Sequence, residues 1–161
     1  MLGSPTVERV AQALRAAGVA SQIVELPGAA RTAKLAAEFL GCEVAQIANS
    51  LVFRGAASGA AILVMSSGTR RVDVEKLSAI VGEPIAKADA QFVRDRTGFA
   101  IGGVAPVGHT GSPRTFVERS LAAYPEVWAA AGHPNTVFKL AYAELVRITG
   151  GSEIDAAAAP G

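Results

Sequence analysis

One cysteine, Cys42, and two histidines, His109 and His133, are all that 161 residues offer in thiol and imidazole. A lone thiol forms no internal disulfide and no zinc cage, and two imidazoles exclude a multi-histidine metal centre. No metal and no cofactor is therefore expected. No apolar stretch approaches the ~18 residues that span a bilayer, and the longest, 60–65, has the length of a strand. The first residues, Met1-Leu2-Gly3-Ser4-Pro5, carry no basic segment ahead of an apolar run, so no signal peptide is expected. A soluble cytoplasmic protein without a membrane partner is the default. A large charge excess is also missing, with 15 Lys+Arg against 14 Asp+Glu. That balance excludes a domain that coats nucleic acid through bulk positive charge, but not a local basic patch.

What is present suits a single domain. Half of the residues are hydrophobic, and a chain of this length buries about 70% of its unfolded surface. Ser4-Pro5, Thr32, Asp73 and Asp89 each precede apolar residues at helical spacing, the pattern of a capped helix start. Gly18, Gly41, Gly82 and Gly98 stand where those helices stop. Residues 43–47 read as one further helical turn. Strands are expected over 22–26, 51–53, 60–65, 85–88, 115–117 and 137–140, with 55–59 as a hairpin connection and 141–148 as a last helix. The pattern predicts one α/β domain over residues 1–151, with a mixed sheet curled toward a barrel. Residues 152–161 show no periodicity and read as a flexible tail.

Candidate chemistry is sparse. There is no Gly-x-Ser-x-Gly, no phosphate-binding Gly-Lys-Ser/Thr and no His-Glu-x-x-His. The run 99–108, Phe-Ala-Ile-Gly-Gly-Val-Ala-Pro-Val-Gly, is too apolar for an ordinary surface loop and too glycine-rich for a regular strand. The adjacent Gly102 and Gly103 permit close approach of a ligand or of another backbone, and leave main-chain N–H groups uncovered. Such donors can hold a carbonyl oxygen or a developing oxyanion; the competing reading is a strand bulge at a tight corner. Asn49 and Ser50, just ahead of the strand at 51–53, either face a cleft or satisfy a local turn. His133, in the breaker-rich Gly132-His133-Pro134-Asn135-Thr136, is either a substrate contact or a solvated loop residue. His109 reads as a mobile loop residue, and Cys42 as a buried, inert thiol. Arg70, Arg71, Arg94, Arg96, Arg114 and Arg119 could meet phosphates if they share a face.

Taken together, these residues resemble a known family. The run Thr97-Gly98-Phe99-Ala100-Ile101-Gly102-Gly103-Val104-Ala105-Pro106-Val107-Gly108 resembles the central signature of the YbaK/ProX aminoacyl-tRNA deacylases, relatives of the editing domain inserted in bacterial prolyl-tRNA synthetases. Residues 32–40, 47–53, 71–77 and 137–145 match in the family's order, so the resemblance runs from about Val7 to Thr149. It implies a curled mixed sheet ringed by helices, and hydrolysis of the ester that joins a wrong amino acid to the 3′ end of tRNA. The family's Gly-x-x-x-Pro element falls on Gly102 and Pro106. Its main chain is expected to place substrate and water, with help from a ribose hydroxyl of the substrate.

The implied catalytic positions are Gly102 and Gly103. The implied substrate-binding positions are Asn49, Ser50, Pro106 and His133. One departure stands out: Asn49 occupies the place where many members carry a lysine. The expected partners are a mischarged tRNA, bound by its 3′ acceptor end, and an aminoacyl-tRNA synthetase. A non-catalytic aminoacyl-tRNA or nucleotide binding module of the same fold is the alternative. A general esterase acting through Cys42 is a third reading.

Overall fold

The computed structural model describes residues 2–28 and 32–158. Five helices are set by local signals. Helix α1 (Pro5–Ala16) starts at Ser4, whose hydroxyl accepts from the Val7 N–H, and buries Val7, Val10 and Leu14. Helix α2 (Ala33–Leu40) starts at Thr32 in the same way and ends at Gly41, whose φ of 66° is the left-handed stop expected of glycine. Asp73 caps α3 (Val74–Val81), and Asp89 caps α4 (Ala90–Thr97). Helix α5 (Tyr142–Thr149) closes at Gly150. A 3-10 turn, Val44–Gln46, follows α2. Among the described residues no helix is long and apolar enough to cross a membrane.

Among the described residues, eight strands form one mixed sheet. They are β1 (Val24–Glu25), β2 (Ile47–Gly55), β3 (Ala61–Ser67), β4 (Ile85–Lys87), β5 (Arg114–Glu118), β6 (Glu126–Ala130), β7 (Thr136–Ala141) and β8 (Ser152–Ile154). The order is β1-β7-β6-β2-β3-β5-β8, with β4 joined to β2 off that path. The hairpin β2–β3 is the spine, paired from Ala48↔Ser67 to Arg54↔Ala61. Strand β3 is buried along its whole length, which explains its unbroken apolar run. The principal core unites Val10 and Leu14 of α1, Leu63 and Met65 of β3, Phe138 of β7, and Phe99 and Val104 of the glycine-rich segment. A second cluster sits on the opposite side, around Ile62, Leu77, Phe116 and Ile154.

The observed sheet corrects the expected one in four places. Asn49 and Ser50 do not precede the strand; they lie inside β2, which begins at Ile47. The strand expected over 22–26 shortens to Val24–Glu25. Strand β6 was not expected at all, because its two alanines weaken any β signal. Its burial nonetheless alternates, with Val127 and Ala129 in the core. The tail expected to be flexible from 152 onward forms β8, which pairs in parallel with β5, and Ala157 bridges Val72.

The cause of that last difference is tertiary. Ile154 and Ala156 enter the second cluster beside Leu77 and Phe116. Ala156 donates its N–H to the buried Glu118 carboxylate at 2.6 Å and accepts from the Asp73 N–H at 2.7 Å. The end of the tail, 159–161, lies outside the described residues.

Candidate functional site

The glycine-rich segment leaves α4 at Gly98 (φ 80°) and ends at Gly108 (φ 80°). Both ends are held by one side chain from α1. Arg9 donates from Nε to the Gly108 carbonyl at 2.6 Å and from Nη2 to the Gly98 carbonyl at 2.9 Å. Its guanidinium carbon lies 4.7 Å from the Phe99 ring centroid, a cation–π contact. Phe99 is buried and meets His109 edge-on, with centroids 5.9 Å apart.

His109 is therefore no mobile loop residue. Its Nε2 lies 2.7 Å from the Ala105 carbonyl. A carbonyl only accepts, so Nε2 carries the proton. Burial, the largest influence, together with the Arg9 charge, depresses the His109 pKa below the ordinary imidazole value; the Ala105 bond opposes this. The segment is thus a buttressed loop with a fixed main chain.

Its tip carries the two glycines, which do different things. Gly102 has φ 90°, a region that strains side-chain-bearing residues. It faces a cavity. Gly103 donates its N–H to the Ala100 carbonyl at 3.0 Å, closing a turn. A Cβ at Gly103 would fall 2.9 Å from the His133 Cα, so this glycine exists for close backbone packing. The catalytic donor expected at Gly103 is therefore already committed, and Gly102 is the glycine at the cavity wall.

That cavity measures about 310 Å³. Helix α2 supplies Ala33 and Ala36, its cap supplies Thr32, and β2 supplies Ile47 through Leu51. The loop supplies Ile101, Gly102 and Val104. Trp128, Ala129 and Ala130 of β6 and Pro134, Thr136 and Val137 complete the wall. None of the described residues lining it is titratable. Whatever chemistry occurs there rests on main-chain groups, hydroxyls, the Asn49 carboxamide and the bound molecule.

Of the residues singled out in the sequence, Asn49, Ser50 and Gly102 meet at this cavity. Ser50 sits beside buried Met65, its hydroxyl 3.3 Å from the sulfur. Pro106 is buried and does not line the wall. His133 does not line it either. Its Nδ1 accepts from the Asn135 N–H at 3.3 Å, and its neighbour Pro134 reaches the cavity instead. Cys42 packs against Ala36, Ala37 and Ile47 behind the wall, where burial raises its pKa.

None of the six arginines that could meet phosphates if they shared a face lines the cavity. Arg70 bonds the Ala158 carbonyl, Arg114 the Val81 carbonyl and Arg119 the Asp155 carboxylate. Trp128, Thr136 and Ile101 at the wall were not singled out in the sequence, nor was Arg9 behind it.

A curled mixed sheet ringed by helices is the fold shared with the YbaK-like editing domains. The model of the aminoacyl-tRNA editing domain family matches residues 28–148. The chain belongs to that family. It is 30% identical over 125 residues to the uncharacterized protein YwhH of Bacillus subtilis (strain 168), covering 78% of this chain and 79% of that one. A crystal structure of a provisionally assigned trans-editing enzyme for prolyl tRNA synthetase superposes with a TM-score of 0.90 at 44% identity, covering 97% of this chain and 99% of the other. The proline–tRNA ligase of Thermosipho africanus (strain TCF52B) is 34% identical over 79 residues, which are 48% of this chain but 14% of the ligase.

Proposed function

We propose that this protein is a trans-editing hydrolase that removes a small, wrongly attached amino acid from the 3′ end of tRNA. The observation that carries the reading is the cavity itself: small, free of titratable side chains among its described residues, and walled by the main chain at Gly102. An aminoacyl ester is already activated, so its hydrolysis needs a placed water and a stabilised oxyanion more than a strong side-chain base. Water adds to the ester carbonyl, the bond to the ribose oxygen breaks, and the products are the free amino acid and tRNA with its terminal hydroxyl restored.

In this reading the Gly102 N–H serves the developing oxyanion and a substrate hydroxyl assists the water. Asn49 and Ser50 orient the acyl group. Gly103, Pro106 and His133 act indirectly, by shaping the loop and its support. Ala33 and Ala36 leave room for an alanyl, seryl, threonyl or cysteinyl group beside Trp128. The partners are the acceptor end of the mischarged tRNA and, in the cytoplasm where such tRNA arises, the synthetase that produces it.

The test is deacylation of a panel of mischarged tRNAs by the full chain. Release of one or more small amino acids is expected, with Gly102→Ala, whose Cβ strains the φ 90° conformation that places this main chain at the cavity, lowering it. No release from any member, at concentrations where an established editing enzyme acts, refutes the reading. One observation favours a second reading, a binding module without turnover: Asn49 supplies no positive charge where many family members have lysine. Binding of aminoacyl-tRNA without hydrolysis distinguishes it.

A further inference from the structure

Strand β2 is paired without interruption along one edge, with β3. Its other edge is broken. Strand β6 pairs with it in parallel only at Ile47 and Ala48, and β4 pairs antiparallel only from Phe53 to Gly55. Residues 49–52 lie between, with no strand alongside among the described residues.

The direction of the main chain there follows from alternation. The Ile47 carbonyl accepts from the Gly68 N–H, and the Gly55 N–H donates to the Ala60 carbonyl, both on the β3 side. Odd-numbered residues of β2 therefore turn their polar groups to β3, and even-numbered residues turn theirs to the broken edge. Ser50 directs both its N–H and its C=O into the gap. On β6 the Ala131 N–H bonds the Thr136 carbonyl on the β7 side, so Ala130 faces the same gap. The parallel ladder ends at Ala48↔Ala129, one step before a bond from the Ser50 N–H to the Ala130 carbonyl. Ser50 and Ala130 both line the cavity. An unpaired rung of a sheet thus opens onto the candidate site.

We propose that the substrate's own amino acid fills this rung, its α-ammonium donating to the Ser50 carbonyl and its ester carbonyl accepting from the Ser50 N–H. The inference rests on the deacylase reading above and names the group that reads the aminoacyl moiety. An aminoacyl ester carries a donor and an acceptor on adjacent carbons, as a strand residue does, so it can complete a two-bond pair with one residue of an open edge. No described side chain at the cavity can offer the ammonium a carboxylate, and a carbonyl is the strongest acceptor left. Recognition by main chain also explains how Asn49 can stand in the lysine position: the aminoacyl group is held by an adjacent residue's backbone, whatever that side chain is.

The experiment compares two non-hydrolysable probes by calorimetry on the full chain: 3′-alanylamido-3′-deoxyadenosine, which holds the acyl group where the substrate ester does, and its propionyl counterpart, which lacks only the ammonium. Loss of hydrogen bonds to a charged group predicts about 10- to 100-fold weaker binding of the propionyl probe. Ser50→Pro removes the N–H while leaving the β3 ladder intact. It is expected to weaken both probes alike and to keep their ratio. Asn49→Ala is likewise expected to keep the ratio.

Equal affinity of the two probes, or no binding of either, overturns the proposal. So does a ratio that collapses in Asn49→Ala, which would assign the ammonium to the carboxamide. If Ser50→Pro does not fold, the ratio measured on the natural chain and on Asn49→Ala still decides. Failure of this proposal leaves the deacylation panel untouched. Failure of that panel with the probe ratio intact points instead to the binding module.

Discussion

Replacing Arg9 by alanine tests whether the glycine-rich loop is held from α1. Arg9 makes two hydrogen bonds from a charged donor to carbonyls at opposite ends of the loop, Gly98 and Gly108, and covers the buried Phe99 ring. Charge-assisted bonds of this kind contribute about 1.5–3 kcal/mol each, and the cation–π contact about 0.5–2 kcal/mol. Arg9 is only half-buried, so water replaces part of what is lost and the lower limits apply, giving about 3.5 kcal/mol. For a domain of this size 1 kcal/mol corresponds to roughly 2–4 °C in Tm, so a fall of about 7–14 °C is expected.

The effect should also be local. Amide exchange over 99–108 should accelerate more than exchange in β3, which is buried throughout. Deacylation should fall through kcat rather than KM, because the loop positions the donor at Gly102 and contributes little ground-state binding. Arg9→Lys offers a point charge in place of a two-pronged donor and should recover less than half of the loss. A Tm within about 2 °C of the natural chain, with exchange over 99–108 unchanged, refutes the reasoning.

Two further outcomes follow from the same loop. Gly103→Ala places a Cβ 2.9 Å from the His133 Cα, against backbone rather than a movable side chain. It should cost about 1–3 kcal/mol by overpacking, read as a lowered denaturant midpoint. His109 has a folded pKa depressed chiefly by burial, below the ~6.5 of the unfolded chain. The unfolded state therefore binds the proton more readily. The His109 contribution is intact above about pH 6.5 and declines as pH falls from there through the folded pKa. Denaturant midpoints measured across that window should drop in the natural chain and drop less in His109→Gln.

Helix starts were legible because their causes are local. Ser4, Thr32, Asp73 and Asp89 each cap a helix within three residues of themselves, and each of those hydrogen bonds is present. The unusual character of 99–108 was legible too, since adjacent glycines signal close approach. What they approach was not: the neighbour of Gly103 is the backbone of His133, thirty residues away and singled out in the sequence for its side chain instead. Arg9 left no trace because its partners are 89 and 99 residues distant. Strand β6 carries alanines whose strand character comes from β7 and β2 beside it. The tail gained β8 because Ile154 and Ala156 cover Leu77 and Phe116, a cluster assembled from distant segments.

The arrangement separates what anchors chemistry from what sets selectivity. Under the deacylase reading, the groups that touch the reacting ester are main-chain atoms of Gly102 and Ser50. A sheet fixes one and a buttressed loop the other. Side-chain substitution cannot delete a backbone N–H, short of proline, so the chemistry tolerates drift at neighbouring positions such as Asn49. The cavity's small and apolar wall residues, Ala33, Ala36, Thr136 and Trp128, have no such protection. One added methylene in a pocket changes discrimination by roughly 10- to 200-fold. Relatives on this scaffold would then differ first in which acyl group fits and last in how its ester is broken. The cost of that design lies at Gly103 and Arg9, which do not line the cavity yet must stay as they are for Gly102 to keep its place in the wall.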